Sequence, residues 1–282
     1  MNGGIIGMPT ETVYGLAARA LDEKAVHRVF DVKGRPRNHP LIVHLPRSTD
    51  ASVWGRMNRE AELLADGFWP GPLTILVDRT DLVPDWVTGG RDSVALRVPS
   101  HPLCAELLRI CNDGIVAPSA NRFGSISPTT AAHVVDDLGT DLDLVLDGGP
   151  CDVGVESTIV ECIGVPQVLR PGAIGADEIE SVAGAVWSEP VGTSRAPGML
   201  SSHYAPRARL MLVESLDEAR SAVGNSVPIL WNSDSTEYAR TLYADLRRLD
   251  DEGFELVCAV LPEPAGIGRA IRDRLSKAAA PR

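Results

Sequence analysis

A short polar segment that follows an apolar run is the feature that most constrains how this chain folds. Residues 4–7 form an apolar run typical of a buried strand, and Pro9 ends it because proline has no N–H to donate. Thr10, Glu11 and Thr12 come next. Polar side chains at the carboxyl end of a strand are typical of ligand sites in α/β proteins. Taken alone, the segment also fits an ordinary β-to-α loop with a capping threonine.

Predicted strands and helices continue as far as residue 185, which indicates one α/β domain over residues 1–185. Ser127-Pro128 is a strong helix start, a cap followed by proline at the first helical position, and Tyr14-Gly15 is expected to form a turn. The predicted strands are Gly4–Met8, Leu41–Leu45, Leu73–Asp78, Ser93–Val98, Ile115–Ala117, Leu144–Leu146, Thr158–Glu161 and Gln167–Leu169. The predicted helices are Asp22–Lys33, Asn58–Ala65, Pro102–Cys111, Pro128–Leu138 and Asp177–Ala183.

A linker and a second, small domain are predicted after residue 185. Residues 186–206 are rich in Pro and Gly, as linkers are, and residues 207–282 alternate strand and helix patterns, which predicts a small three-stranded parallel α/β sheet. The predicted strands there are Arg209–Val213, Val227–Trp231 and Leu256–Val260. The predicted helices lie near Leu216–Val223, Tyr238–Leu249 and Ile267–Ala278.

Composition favours a soluble globular protein and excludes several classes of site. The 282 residues are 44% hydrophobic and 23% charged, without an apolar run of membrane-spanning length or a signal-peptide pattern. We therefore expect a cytoplasmic protein with no membrane partner. The five cysteines form no CxxC pair and the six histidines no HExxH motif, so neither a zinc site nor a disulfide framework is predicted. There is no P-loop and no complete GxGxxG.

The charge of the chain is unevenly distributed. The net formal charge is −11, and residues 207–282 hold 11 basic and 12 acidic residues, which leaves 16 basic and 26 acidic residues in the rest. An acidic surface argues against strong direct nucleic-acid binding, which requires a basic face. Lys33, Arg35 and Arg37 nevertheless cluster within this acidic domain. This cluster predicts a small anionic ligand, although cations at a helix C-terminus also complement the helix dipole.

Three further positions are candidates for ligand contacts. Arg97 interrupts an apolar strand, so it needs a partner, either an internal carboxylate or a ligand anion. His44 is the last residue of the strand-like segment PLIVH. It is either a structural histidine or a side chain that faces a pocket. Ser119 and Asn121 follow a short strand, where they fit either a cap or Asx-turn or a set of hydrogen bonds to a ligand.

Seven ordered sequence blocks make the chain resemble the Sua5/YrdC/YciO family over residues 3–206. The resemblance implies a twisted mixed-sheet YrdC-like domain, followed by the small C-terminal domain of the longer Sua5 type. In the family a strand and a helix usually precede the first block, whereas this chain opens at Met1, so we expect exposed apolar sheet surface there. The blocks are PTETVYGL with KGRP and PLIVH, then ALRVP, PSAN, SPTT, ESTIV, LRPG and SSHYAP.

The resemblance also implies an activity. Members of the family are L-threonylcarbamoyladenylate synthases, which join L-threonine, bicarbonate and ATP into threonylcarbamoyl-AMP and pyrophosphate. The expected cofactor is Mg²⁺ carried by the ATP phosphates rather than by a protein metal site. The product would pass to a separate tRNA threonylcarbamoyl transferase machinery for t6A37 synthesis. Two alternatives remain open, an RNA-binding module and a carbamoyl transferase of the same fold.

Site residues follow from the resemblance position by position. Lys33 and Arg35 are the implied catalytic residues, because positive charge around the phosphates is what the reaction needs. Tyr204 is expected to close the site as a lid, or else to anchor the linker. The implied ATP contacts are Lys33, Arg35, Arg37, Arg97, Asn121, Ser127, Arg170 and Tyr204. The implied threonine contacts are Thr10, His44, Ser119, Ser157 and Thr158, with Arg97 as an alternative partner of the threonine carboxylate.

Overall fold

The computed structural model describes residues 3–164, 166–184, 204–224 and 226–281. Its strands are β1 (Ile6–Met8), β2 (Gly15–Arg19), β3 (Ile42–His44), β4 (Leu73–Asp78), β5 (Ser93–Arg97), β6 (Ile115–Val116), β7 (Leu144–Val145), β8 (Thr158–Glu161), β9 (Gln167–Arg170), β10 (Arg209–Val213), β11 (Ile229–Leu230) and β12 (Leu256–Val260). Its α-helices are α1 (Glu23–Lys33), α2 (Ala51–Trp54), α3 (Arg59–Phe68), α4 (Asp85–Thr88), α5 (Pro102–Cys111), α6 (Ala131–Leu138), α7 (Ala176–Ala183), α8 (Leu216–Val223), α9 (Ser235–Asp251) and α10 (Gly268–Ala279). Within those ranges, no helix is both long and apolar enough to cross a bilayer.

Two sheets organise the described residues. The first has the strand order β7-β1-β2-β6-β3-β5-β4-β8-β9 and mixes parallel and antiparallel pairs. The second has the order β10-β12-β11 and is parallel throughout. The predictions of a mixed α/β sheet and of a small three-stranded parallel sheet are both confirmed.

Side-chain alternation along β3 separates a packed face of the first sheet from an open one. Val43 belongs to the main hydrophobic core, together with residues of α1 and α3. Ile42 and His44 point to the opposite face, because successive side chains of a strand alternate. On β5 the partners of these two residues are Ala95 and Arg97. A polar face therefore begins where β3 and β5 end.

Strand pairing brings the ends of four strands to the same region. β3 and β5 run parallel, so His44 lies opposite Arg97. β8 is parallel to β4 and β4 is antiparallel to β5, so β8 begins near the end of β5. β9 returns antiparallel to β8 and places Arg170 opposite Ile159. The loops beside these ends form one wall.

Helix α1 is bounded by residues that suit its two ends. The Asp22 side chain caps the first turn by accepting a hydrogen bond of 3.1 Å from the backbone N–H of Ala25. Gly34 ends the helix in the left-handed region at φ 66°, a conformation that glycine adopts at little cost. This reversal directs Lys33 and Arg35 to different surroundings.

The two domains are in direct contact. Val13, Ile126 and Val155 of the first domain belong to the same apolar cluster as the core of the second domain. An ion pair crosses the boundary as well, because the Arg247 guanidinium lies 2.9 and 2.6 Å from the two carboxylate oxygens of Asp137. The contact is thus both apolar and charged.

Some sequence predictions were wrong. Residues 15–19 form β2 and pair antiparallel with β1, where only a turn at Tyr14-Gly15 was expected. Helix α6 begins at Ala131 rather than at Pro128, and Thr130 is its cap, accepting from the backbone N–H of His133 at 3.3 Å. The short helices α2 and α4 were not predicted. Residues 186–203 of the expected linker lie outside the described residues, so the domain boundaries stay a prediction.

Candidate active site

A cavity opens on the polar face of the first sheet. It lies beside the ends of β3, β5 and β9 and the start of β8, where the strand pairing brings loops together. Its lining residues are Thr12, Val13, Arg35, Pro40, Leu41, Ile42, His44, Arg97, Ala117, Pro118, Ser119, Glu156, Ser157, Arg170 and Tyr204.

Arg97 is buried in the cavity wall and held from behind by three groups. Its Nη2 lies 2.8 Å from Glu11 Oε1 as an ion pair, its Nη1 donates to Thr12 Oγ1 at 3.0 Å, and its Nε donates to the carbonyl of Gly71 at 3.3 Å. Burial alone would raise the pKa of Glu11, but the charge and the hydrogen bonding of Arg97 hold that pKa below its usual value. The internal carboxylate partner expected for Arg97 is therefore Glu11.

Arg35 reaches the cavity from the turn after α1. Its Nη2 donates to the carbonyl of Pro40 at 3.0 Å, and its guanidinium carbon lies 5.9 Å from the centroid of the Phe123 ring. Its buried Nε has no hydrogen-bond partner among the described residues. Burial lowers the pKa of Arg35 to about 10, so the side chain remains a cation at neutral pH. An unsatisfied buried donor on a cation is suited to an anionic ligand.

Arg170 is the third buried guanidinium of the cavity. Its Nε donates to the carbonyl of Ser157 and its Nη2 to the hydroxyl of Ser157, both at 3.0 Å. Ser157 Oγ lies 2.8 Å from the hydroxyl of Thr74 on β4. Burial lowers the pKa of Arg170. This chain of contacts fixes the guanidinium at the start of β8.

His44 supplies a neutral polar group. Burial, together with the positive charge of Arg97, lowers the pKa of His44 to about 3, so its imidazole is uncharged at neutral pH. Its Nδ1 has no hydrogen-bond partner among the described residues. The ring can therefore bind a ligand group by a hydrogen bond, but its low basicity makes it a poor proton acceptor.

Lys33 does not line the cavity. Its Nζ donates to the carbonyls of Ser119 at 2.5 Å and Asn121 at 2.7 Å, and to Asn121 Oδ1 at 3.3 Å. Burial, and then the nearby charge of Arg35, lowers the pKa of Lys33 well below its usual value. The ammonium group thus holds the loop of residues 119–121 from behind, and Ser119 carries that support to the cavity.

Tyr204 closes one side of the cavity where the described chain resumes after the linker. It is buried, with φ at 64°, and its ring stacks on Tyr243 at a centroid distance of 5.8 Å. The Arg274 guanidinium carbon lies 5.3 Å from the centroid of the same ring. Burial, and then the charge of Glu156, raises the pKa of Tyr204 to about 12. Its hydroxyl is therefore protonated at neutral pH.

Glu156 is a cavity residue that the sequence analysis missed. Its Oε1 accepts from Ser127 Oγ at 2.6 Å, and its Oε2 accepts from Tyr243 Oη at 2.9 Å and from Arg274 Nε at 2.8 Å. Burial opposes ionisation, but the charges of Arg274 and Arg170 hold the pKa of Glu156 at about 2. A carboxylate next to the predicted Ser157-Thr158 pair was the available signal, but its partners are remote in sequence.

The structure brings about half of the predicted site residues together. Those that line the cavity are Arg35, His44, Arg97, Ser119, Ser157, Arg170 and Tyr204. Buried residues beside it that do not line it are Thr10, Lys33, Asn121, Ser127 and Thr158. Thr12, rather than Thr10, faces the cavity from the first polar segment. Arg37 lies in solvent, 2.9 Å from Asp31, and does not line the cavity.

The supporting residues have definite contacts of their own. Thr10 Oγ1 donates to the carbonyl of Val13 at 2.6 Å and so shapes the first polar loop. The Asn121 amide donates to the carbonyl of Ser125 at 2.7 Å. Thr158 Oγ1 donates to the carbonyl of Ile174 at 2.9 Å. These three side chains order loops that carry or adjoin lining residues.

The carboxylates near the cavity are occupied by arginines. Glu11 pairs with Arg97 and Glu156 pairs with Arg274. In the described ranges, no group of three or more His, Cys, Asp and Glu side chains is placed to hold a metal ion.

Two family models together match nearly the whole chain. The Sua5_yciO_yrdC model, described as "Telomere recombination", matches residues 1–172. A second model, described as "Threonylcarbamoyl-AMP synthase, C-terminal domain", matches residues 174–280.

Characterised relatives match the chain along both domains. A threonylcarbamoyl-AMP synthase of Pyrococcus abyssi is 39% identical over 98% of this chain and 90% of its own length. The Bacillus subtilis enzyme of that name is 36% identical over 98% of this chain and 89% of its own length. Among solved structures, P. abyssi Sua5 in complex with L-threonine superposes with a TM-score of 0.92 at 38% identity, covering 98% of this chain and 91% of that one.

Proposed function

The chain belongs to the Sua5/YciO/YrdC family and is an enzyme of the nucleotidyltransferase type, and we propose that its cavity is where L-threonine, bicarbonate and ATP are joined. The products are threonylcarbamoyl-AMP and pyrophosphate. The observation that carries this proposal is the convergence of three buried guanidinium groups, those of Arg35, Arg97 and Arg170, in one cavity. Buried cations of this kind suit phosphate and carboxylate ligands.

The threonine end of the cavity lies where β3 and β5 end. Arg97 offers a guanidinium to the threonine carboxylate, and His44 and Thr12 offer neutral hydrogen-bonding groups beside it. Ser157 faces the same space from the start of β8. The P. abyssi relative with bound L-threonine supports a threonine site in this fold.

The triphosphate end is formed by Arg35 and Arg170. Arg35 has a free Nε among the described residues, and Arg170 is held at a fixed position by Ser157. Lys33 supports this end through the loop of residues 119–121. When bound with ATP, Mg²⁺ would neutralise phosphate charge and lower the barrier to attack at phosphorus.

No covalent nucleophile is required for this reaction. The neutral amine of threonine attacks bicarbonate to give a carbamate with loss of water, and a carbamate oxygen then displaces pyrophosphate from the α-phosphorus. The protein contributes position and positive charge. Tyr204 closes the wall of the cavity and helps to exclude water, which would hydrolyse the mixed anhydride. This placement supports the lid role predicted for Tyr204.

The product is an activated intermediate, so an acceptor must take it up before it hydrolyses. We propose that a separate tRNA threonylcarbamoyl transferase machinery consumes it in the cytoplasm to form t6A37. The acidic balance of the chain gives no reason to place the tRNA on this protein itself.

The test is the substrate dependence of pyrophosphate release. The purified chain should release pyrophosphate from ATP only when L-threonine, bicarbonate and Mg²⁺ are all present, and mass spectrometry should detect threonylcarbamoyl-AMP. Omission of L-threonine or replacement by L-serine is the matched control. Pyrophosphate release that does not depend on L-threonine would contradict the proposal. Tight RNA binding at physiological salt without nucleotide turnover would contradict it as well.

A further inference from the structure

One guanidinium of the second domain contacts three parts of the cavity wall. Arg274 on α10 has a fully buried side chain. Its Nε lies 2.8 Å from Glu156 Oε2, its Nη2 donates to the carbonyl of Pro171 at 3.1 Å, and its guanidinium carbon lies 5.3 Å from the centroid of the Tyr204 ring. Glu156 and Tyr204 line the cavity, and Pro171 directly follows the lining residue Arg170.

The second domain also fixes Glu156 through a tyrosine. Tyr243 on α9 donates from its hydroxyl to Glu156 Oε2 at 2.9 Å, while its ring stacks on Tyr204. Ser127 of the first domain donates to the other carboxylate oxygen at 2.6 Å. Tyr243 and Arg274 of the second domain thus donate to this cavity carboxylate alongside Ser127 of the first.

The loop that carries Glu156 lies directly against the backbone of α9. Gly154 has φ at +81°, and a Cβ atom there would lie 2.4 Å from the carbonyl oxygen of Ala239 and 2.5 Å from Arg240 Cα. Val155 belongs to the apolar cluster of the second domain. The docking of the second domain thus decides where Glu156 stands.

A carboxylate in this wall works against the ligands of the proposed reaction, since ATP, bicarbonate and the threonine carboxylate are all anions. Arg274 neutralises the charge of Glu156 from behind, since it pairs with Glu156 but does not line the cavity. After Arg274, Arg170 is the cation whose charge most lowers the pKa of Glu156, and in the proposed function Arg170 binds phosphate. A buried carboxylate left unpaired either draws in such a cation or takes up a proton.

We propose that Arg274 is a positioning residue of the synthase, which neutralises Glu156 and thereby keeps this wall of the cavity from repelling anionic substrate. This inference rests on the proposed function. It assigns the second domain an indirect part in substrate binding, through a side chain that itself touches no substrate.

Removal of Arg274 should make substrate binding depend on pH through Glu156. The charged and titratable groups that face Glu156 are Arg170 of β9, Tyr204, Tyr243 of α9 and Arg274 of α10, and the charge of Glu156 also acts on Lys33 of α1. Asp273 lies 2.6 Å from Arg274 Nη1. In the wild type the pKa of Glu156 is held at about 2, so its charge is constant at neutral pH. Without Arg274, burial raises the pKa of Glu156, and the Glu156 carboxylate becomes protonated at the lower pH values of the experiment.

The experiment compares the wild type with R274M, R274K, the double variant E156Q/R274M and the control R247M. Arg247 makes a second charged contact between the domains, to Asp137, and does not line the cavity. The KM for ATP and kcat are measured by pyrophosphate release at about pH 6 and about pH 8, as ratios to the wild type because ATP itself titrates in this range. Thermal unfolding shows whether each variant is folded.

We expect R274M to raise the KM for ATP about tenfold or more at pH 8, and less at pH 6. In E156Q/R274M the KM for ATP should return close to the wild-type value and no longer depend on pH. R274K should have an intermediate KM, and the KM of R247M should stay within about twofold of the wild type. A folded R274M with the wild-type KM would overturn the inference, and so would a double variant no better than R274M. If R274M does not fold, the double variant E156Q/R274M provides the test. A wild-type KM for ATP in that variant supports the inference, and a KM raised tenfold overturns it. A wild type that turns over ATP without L-threonine would contradict the proposed function instead.

Discussion

Two buried Arg–Glu pairs border the cavity, and they face it in opposite ways. Arg97 lines the cavity and Glu11 stands behind it, with 2.8 Å between Nη2 and Oε1. In the other pair Glu156 lines the cavity and Arg274 stands behind it, with 2.8 Å between Nε and Oε2. The first pair lies within one domain, whereas the second joins two.

This difference separates two uses of the same chemistry. A guanidinium that faces the cavity can bind an anion, and its glutamate keeps it oriented and charged. A guanidinium behind a carboxylate cannot bind the ligand, but it removes an unfavourable charge from the wall. The first arrangement attracts substrate and the second prevents repulsion, so the two pairs should respond differently to substitution.

The largest effect is expected from Arg97→Met. The variant loses a ligand cation and leaves Glu11 buried without its partner, so kcat/KM should fall by about three orders of magnitude. The matched variant Glu11→Gln keeps the Arg97 cation, and its kcat/KM should fall only about tenfold. Both values come from steady-state pyrophosphate release. Equal losses in the two variants would show that Arg97 serves only as the structural partner of Glu11.

A second prediction concerns stability in acid. The pKa of Glu156 is about 2 in the folded protein, below its value in the unfolded chain, so its ionised form stabilises the fold above about pH 4.5 and this contribution is lost as the pH falls towards 2. The stability of the wild type relative to Glu156→Gln should therefore decline over that window. Urea unfolding at several pH values measures it. Parallel curves for the two proteins would show that the Arg274 pair contributes no pH-dependent stability.

The smallest effect is expected from Arg37→Ala. Arg37 is exposed and pairs with the exposed Asp31, and such surface pairs contribute roughly 0–1 kcal/mol. Activity should stay within about twofold of the wild type, while Arg35→Ala, two positions earlier, should lose at least about tenfold. A large loss in Arg37→Ala would restore the sequence-based assignment of this residue to ATP.

The contrast between Lys33, Arg35 and Arg37 shows what the sequence could predict and what it could not. Their clustering indicated an anionic ligand, and Arg35 does reach the cavity. The chain turns at the left-handed Gly34, and the other two cations lie away from the cavity. Lys33 donates to the distant carbonyl of Ser119 from behind, and Arg37 lies in solvent. Side-chain direction after a turn depends on tertiary contacts, which local pattern does not contain.

The same reasoning applies to the fold and to Glu156. Apolar periodicity gave nearly correct bounds for β4, β5 and β8, while β2 was missed because its small residues follow a polar loop that was interpreted as a turn. The mixed direction of the strands was implied by the family resemblance, whereas their order in the sheet was not predicted. The partner of Glu156, Arg274, lies 118 residues away, and no local signal connects two positions so far apart.

Tyr204 belongs at once to the cavity wall and to the apolar cluster of the second domain. Since one side chain is shared, the second domain cannot unfold without opening the cavity, and an occupied cavity raises the free energy of that unfolding by mass action. Substrate should thus protect the amide hydrogens of α9 and α10 from exchange with solvent, even though it lies in the other domain.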